Sequence, residues 1–242
     1  MRLLAFGFAG GSISSLRRLF ECLPSWVEAW GAEYPGRGMR WQEPLPASLD
    51  ELLADLQPGM SALLDRPCVV LGYSMGALIA YALLSRLRVA PCGFIVVSAK
   101  APQSAHEDPD WWRLADVELL AKLDQLGGIP EEFRANADFM RWFLPVMRAD
   151  LKCCSEARCE QLAALSCPLL ALIGQDDALI RQQHVTGWLT QVGGNHPASA
   201  VHVLAGGHFV HANREAAVAE ILANWLSGQR PDAAALHESH AG

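Results

Sequence analysis

Residues 69–79 read Val69-Val70-Leu71-Gly72-Tyr73-Ser74-Met75-Gly76-Ala77-Leu78-Ile79. An apolar, β-branched run meets an apolar, helix-forming run at Gly72-x-Ser74-x-Gly76. In that setting the G-x-S-x-G pattern makes a serine nucleophile, because a strained strand-to-helix turn lifts the hydroxyl above the end of a sheet. Glycines on either side leave room for the turn; a plain structural turn would not need a strand and a helix joined so tightly. The spacing predicts a strand over Cys68–Tyr73 and a helix over Met75–Leu87. A helix starting at the nucleophile aims its first free backbone N–H groups at the place where negative charge develops. The Met75 N–H is therefore expected to be one oxyanion donor.

Outward from this centre, short apolar runs alternate with helical patterns. Strands are predicted over Leu3–Phe8, Val27–Tyr34, Gly93–Ala99, Leu169–Gly174 and Ala200–Leu204. Several are apolar throughout rather than alternating, as strands covered on both faces are. Helices are predicted over Ser14–Leu23, Leu49–Leu64, Arg181–Val192 and Arg214–Leu226, the last with Ala217, Val218, Ile221, Leu222 and Trp225 at helical spacing. Strands alternating with helices imply a parallel sheet in an α/β fold. One long segment, about 101–160, interrupts the rhythm with helical stretches at Asp116–Leu126, Glu131–Ala137 and Phe139–Cys154 and with no strand pattern. A helical insert between two sheet strands is expected to act as a lid over a ligand site. Residues 1–227 are read as a single domain carrying this insert, and 228–242, rich in Ala, His and Pro, as an unpatterned, disordered tail.

Composition narrows the functions. The chain has 242 residues, 51% of them hydrophobic, and 26 acids against 19 Lys and Arg, for a formal charge of −7. That apolar fraction excludes a disordered chain, and no basic face suggests a nucleic-acid binder. No apolar run reaches the ~20 residues that span a bilayer. The N-terminal apolar run is too short for a secretory signal, so a cytoplasmic protein is expected. The seven cysteines, an odd number, are expected as free thiols. Cys153, Cys154 and Cys159 lack the paired clusters of a zinc site, so no metal is assigned. The charge is uneven: 101–165 holds twelve acids and seven bases, whereas 1–49 holds five Arg and four Glu.

A serine needs a histidine base, which in turn needs a carboxylate to orient it. Of eight histidines, His208 in Ala205-Gly206-Gly207-His208-Phe209 follows the last predicted strand and precedes the final helix, where a loop at the strand's carboxyl end would carry it. His211 is the rival, read as a surface residue at a helix start. The strand Leu169–Ile173 ends in Gly174-Gln175-Asp176-Asp177, and the Gly-x-x-Asp spacing favours Asp177 over Asp176. After the preceding strand no carboxylate occurs until Glu107. The second oxyanion donor is expected from Phe6-Gly7-Phe8-Ala9-Gly10-Gly11-Ser12, whose glycines allow close backbone approach to a ligand. This run lacks G-x-G-x-x-G and is not a dinucleotide loop.

Taken together, the chain resembles the type II thioesterases of nonribosomal peptide and polyketide synthesis, members of the α/β-hydrolase superfamily. The resemblance runs from Leu3 to Leu226 and rests on Phe8-Ala9-Gly10-Gly11-Ser12, Tyr34-Pro35-Gly36-Arg37-Gly38 and Gly72-Tyr73-Ser74-Met75-Gly76. It continues through Leu126-Gly127-Gly128-Ile129-Pro130, Leu144-Pro145-Val146-Met147-Arg148-Ala149-Asp150, Gly174-Gln175-Asp176-Asp177 and Gly206-Gly207-His208-Phe209. It implies an α/β-hydrolase fold with a helical lid, a triad of Ser74, Asp177 and His208, and oxyanion amides at Ala9 and Met75. The implied activity is hydrolysis of acyl thioesters on the phosphopantetheine arm of carrier proteins, by a monomer without a cofactor of its own, to clear stalled or misprimed acyl groups. Tyr73 and Gly7 depart from the family, which usually has His and Pro there; a change in loop stiffness or pocket shape is expected. Arg17, Arg18 and Lys100 are weak candidates for the phosphate of the arm. A carboxylesterase, or a non-catalytic ligand-binding protein on the same fold, remains open on the sequence.

Overall fold

The computed structural model describes residues 1–107, 110–129, 133, 136–159, 162–192 and 196–230, except the side chains of 105–107. Six strands form the sheet: β1 (Arg2–Phe6), β2 (Glu28–Ala32), β3 (Cys68–Tyr73), β4 (Gly93–Val97), β5 (Leu169–Gly174) and β6 (Ala200–Leu204). They lie in the order β2-β1-β3-β4-β5-β6, and every neighbouring pair is parallel. The expected α/β-hydrolase architecture is present, with a wholly parallel sheet among the described residues.

Strand periodicity sorts the core into two layers. Leu4, Phe6, Val70, Phe94, Val96 and Leu169 face one side, packing with α2 (Leu49–Leu63) and α3 (Met75–Leu87). Leu3, Ala5, Val69, Leu71, Ile95, Val97, Leu170 and Leu172 face the other. There they meet α1 (Arg17–Glu21) and a helix over Glu215–Ser227. Helix α3 is buried from Met75 to Leu84, which explains why its sequence is apolar all round.

The insert contains α4 (Asp116–Gln125) and α5 (Ala137–Glu156), followed after β5 by α6 (Gln182–Gln191) and, at the end, α7 (Glu215–Ser227). Leu119, Leu123, Ile129, Met140, Phe143, Leu144 and Met147 make a small core of the insert's own. Asn136 caps α5 by accepting the Phe139 amide at 3.0 Å. Arg148 on α5 donates to the Trp112 carbonyl at 2.7 Å and to Asp116 at 2.5 Å, tying the two helices together.

Several bounds differ from the sequence expectation for local reasons. The first strand ends at Phe6, not Phe8, because the chain leaves the sheet to form the Gly7–Ser12 loop. The second spans Glu28–Ala32 and lacks the flanks predicted at Val27 and 33–34. The fourth stops at Val97, where Ser98 turns to a φ of 44°. The single helix predicted over Ser14–Leu23 is a 3-10 turn, Ile13–Leu16, followed by α1, with Ser12 capping the turn. Most of the predicted stretch Glu131–Ala137 and residues 231–242 of the predicted tail lie outside the described residues. Gly228 instead continues the chain from α7, its amide bonded to Trp225. Among the described residues, no helix is long and apolar enough to cross a membrane.

Candidate active site

Ser74 stands between β3 and α3 with φ 52° and ψ −117°, a left-handed backbone that is costly for a residue with a Cβ. Its surroundings enforce it. The Ser74 amide donates to the Val97 carbonyl at 2.8 Å, and its carbonyl accepts from Ala77 at 3.0 Å. A Cβ on Gly72 would collide with the Ala77 backbone, and one on Gly76 with the carbonyls of Phe6 and Gly7. Both glycines of the motif are thus steric requirements of a turn wedged between two strands.

His208 and Asp177 reach the serine from the ends of β6 and β5. His208 Nε2 lies 3.0 Å from Ser74 Oγ, and His208 Nδ1 lies 2.9 Å from Asp177 Oδ2. An ionised carboxylate only accepts, so Nδ1 carries the proton donated to Asp177 and Nε2 is left to accept from the serine. Burial alone would push the Asp177 carboxyl up. The bond and charge of His208, with the amides of Leu179 (2.9 Å) and Ile180 (3.2 Å), reverse this and hold it below the usual carboxylate range. Asp176 is exposed, its amide bound to the Gly206 carbonyl at 2.9 Å, and its carboxylate has no place in this chain of contacts. Gly174 is packed so tightly on Gly206 and Gly207 that any Cβ there would strike their carbonyls. That contact sets the histidine loop against the aspartate turn.

His211 is a correction to the sequence reading. It is not on the surface but buried, with Nδ1 3.2 Å from the Tyr73 hydroxyl. Tyr73 is itself buried, and its hydroxyl donates to the carbonyl of His208 at 3.0 Å. Burial pushes the Tyr73 phenol well above its ordinary value, so it stays a donor. Phe8 and Phe209 close this cluster, their ring centroids 4.9 Å apart and that of Phe8 5.3 Å from Tyr73.

Ala9 and Met75 line one cavity with Ser74 and His208. Among the described residues no hydrogen bond uses the Ala9 or Met75 amide, whereas the groups flanking Ala9 are tied. The cavity encloses about 870 Å³, including its opening to solvent, and its walls are mostly apolar, among them Leu78, Trp111, Met147 and Ile180. Lys100 contributes a cation to the lining. Arg17 lies on the exposed surface bonded to Glu21 at 2.7 Å, and Arg18 is exposed. Among the described residues, no group of three His, Cys, Asp or Glu is arranged to hold a metal.

Sequence reasoning did not foresee a buried ion pair behind the loop of Ala9. Arg37 and Asp150 are both fully buried and bonded through two nitrogens, with Arg37 Nη2 2.8 Å from Asp150 Oδ1. They belong to two motifs, Tyr34–Gly38 and Leu144–Asp150, that sequence places more than a hundred residues apart.

The family model described as "Thioesterase domain" matches residues 1–226. The thioesterase PikA5 of Streptomyces venezuelae is 32% identical over 217 residues, covering 86% of this chain and 75% of that protein. The AMB antimetabolite synthetase AmbE of Pseudomonas aeruginosa is 28% identical over 96% of this chain, but the chain spans only 11% of that much longer protein. The solved structure of the type II thioesterase BorB, from the borrelidin biosynthetic cluster, superposes with a TM-score of 0.81 at 28% identity, covering 93% of this chain and 92% of that one.

Proposed function

We propose that this chain, which belongs to the thioesterase domain family, hydrolyses acyl thioesters carried on the phosphopantetheine arms of carrier proteins, clearing stalled or misprimed acyl groups from a nonribosomal peptide or polyketide synthase. The observation that carries this reading is the unbroken contact chain from Asp177 through His208 to Ser74, opening into an apolar cavity of acyl-binding character. That AmbE is a synthetase and BorB a type II thioesterase of a biosynthetic cluster supports the synthase setting.

Ser74 Oγ attacks the thioester carbonyl carbon while His208 Nε2 takes its proton. The carbonyl oxygen becomes an oxyanion facing the amides of Ala9 and Met75. The carbon–sulfur bond then breaks, and His208 hands its proton to the departing thiol of the arm. Water attacks the acyl-serine with His208 again as base; the acid leaves and the proton returns to Ser74 Oγ. Asp177 holds the imidazole in the required tautomer and balances its charge when it is protonated. Every group in this sequence belongs to the chain or the substrate, so the reading calls for no cofactor and no metal. It places the protein in the cytoplasm as a monomer that meets carrier domains in passing, without nucleic acid or membrane as partner.

Ser74→Ala should lower hydrolysis of an acetyl-loaded carrier protein by about 10⁴-fold or more while the circular dichroism spectrum stays unchanged. Undiminished turnover in that variant would falsify the assignment. A matched oxygen ester, tested beside the thioester, should be the poorer substrate; a clear preference for the oxygen ester would make the enzyme a carboxylesterase.

A further inference from the structure

The loop that carries Ala9 is held at three points. The hydroxyl of Tyr34, which is buried, donates to the Gly7 carbonyl at 3.0 Å. The Gly11 amide donates to the Phe8 carbonyl at 3.2 Å. The Gly10 amide donates to Asp150 Oδ2 at 2.7 Å. A peptide unit is planar and trans, so its N–H points opposite to its C=O. Fixing the Phe8 carbonyl toward Gly11 therefore directs the Ala9 N–H the other way, and the peptide units on either side are pinned by Tyr34 and Asp150.

Asp150 is the unusual anchor, because it sits on α5, in the insert, rather than on the sheet. Its carboxylate accepts from Gly10 and from both terminal nitrogens of Arg37, whose Nε reaches the Pro35 carbonyl at 3.4 Å. The guanidinium also stands 5.3 Å from the ring centre of Tyr34, the residue that holds Gly7. Met147 and Phe143, on the same face of α5, press on Gly10 so closely that a Cβ there would collide with both. Gly10 meets this with a φ of 74°.

We propose that Asp150, aligned by Arg37, is a positioning residue for catalysis. Through Gly10 it holds the peptide unit that follows Ala9, and with it the turn that aims the Ala9 N–H, so that the oxyanion site is complete only while α5 is seated on the loop. This rests on the proposed role of Ala9 and Ser74 in thioester hydrolysis. A helix that lines the acyl cavity and also anchors the oxyanion loop joins substrate cover to transition-state stabilisation in one part.

The decisive variant is Arg37→Met/Asp150→Leu. Replacing a buried ion pair by apolar residues of similar volume usually preserves folding, yet it leaves Gly10 without its acceptor. In the folded double variant kcat should fall about ten- to hundredfold, with KM changing less than about threefold. Asp150→Asn, which retains an oxygen for Gly10, should recover part of the loss. The rate at which a fluorophosphonate labels Ser74 should fall in parallel, and it reports the oxyanion amides whatever the natural acyl donor is. A wild-type enzyme that labels but does not cleave carrier thioesters would therefore count against the proposed function alone. Wild-type kcat and labelling in the folded double variant overturn the positioning role. The unmodified protein gives a second reading by hydrogen exchange: the Gly10 amide should exchange as slowly as the α5 amides near Asp150, and exchange as fast as an exposed loop overturns the anchor.

Discussion

Two loops flank Ser74, and they are supported from opposite quarters of the molecule. The loop of His208 rests on the sheet: Tyr73 at the end of β3 holds the His208 carbonyl, Gly174 at the end of β5 packs against Gly206 and Gly207, and Asp177 meets the imidazole. The loop of Ala9 rests on the insert and on the segment after β2, through Asp150, Met147, Phe143 and Tyr34. The proposed proton relay is therefore built on the ends of β3, β5 and β6. The proposed oxyanion side shares its support with α5, the helix that walls the cavity. Damage to the relay should stop chemistry without touching the insert, whereas damage to the other loop should carry the marks of the insert as well.

The largest effect expected from either loop is Asp177→Asn. It keeps the shape of the turn but presents an amide to His208 Nδ1, which stabilises the wrong tautomer; kcat should drop by about 10⁴-fold at neutral pH. Steady-state kinetics with an unchanged melting temperature would confirm that the relay is separable from the insert. A drop below tenfold would dismiss Asp177 as the orienting acid.

Next comes a paired test of the two loops with one kind of change. Gly10→Ala forces a Cβ into the side-chain ends of Met147 and Phe143 at a φ of 74°, so these two side chains of α5 must give way. Gly206→Ala, at a φ of 108°, meets nothing nearer than Arg214 Nη1 at 3.4 Å and brings backbone strain alone. The strain is on the order of 1–3 kcal/mol in each. Gly10→Ala should in addition lower kcat by about tenfold or more, and it should change sensitivity to acyl chain length. Equal kinetic losses in the two variants would erase the proposed difference between the loops.

Tyr73→Phe is the milder probe of the relay loop. It removes one hydroxyl and leaves the His208 carbonyl without that donor in a buried site, a loss of about 1–3 kcal/mol of stability. A several-fold fall in kcat should accompany it, without the chain-length effect expected at Gly10. Thermal melts and chain-length series on the same preparations would separate the two.

The sheet and the relay were legible in the sequence because their determinants are local. Cys68–Tyr73, Leu169–Gly174 and Ala200–Leu204 occur as strands with the predicted bounds, and the G-x-S-x-G turn needs only its own glycines and flanks. Gly-x-x-Asp and Gly-Gly-His-Phe lie directly at strand ends, so their neighbours in sequence are their neighbours in space. The support of the oxyanion loop was not legible. Arg37 and Asp150 are charged residues that composition assigns to the surface, and only the folded chain brings a loop after β2 to the buried face of α5. Their motifs marked a family without disclosing that they touch. His211 was misplaced for the same reason: a histidine near a helix start gives no sign that a tyrosine 138 residues earlier receives it in the core.

That burial makes a small but signed prediction. The imidazole of His211 is held below its ordinary value by burial, which outweighs the opposing influence of Glu215 and of the Ser15 backbone. Its folded pKa lies below its unfolded pKa of ~6.5, so between the two the unfolded chain binds more protons. Its contribution to stability is complete above about pH 6.5 and is lost as the pH falls through the folded value. The melting temperature of the wild type should decline more steeply between pH 7 and pH 5 than that of His211→Phe. The slope difference is at most about 1.4 kcal/mol per pH unit. Arg37, whose charge is reinforced by Asp150 against its burial, stays protonated across this range. Acid should therefore loosen the buried contact of His211 with Tyr73, which backs the His208 carbonyl. Parallel melting curves for the two proteins would show that the buried imidazole does not set the acid limit of stability.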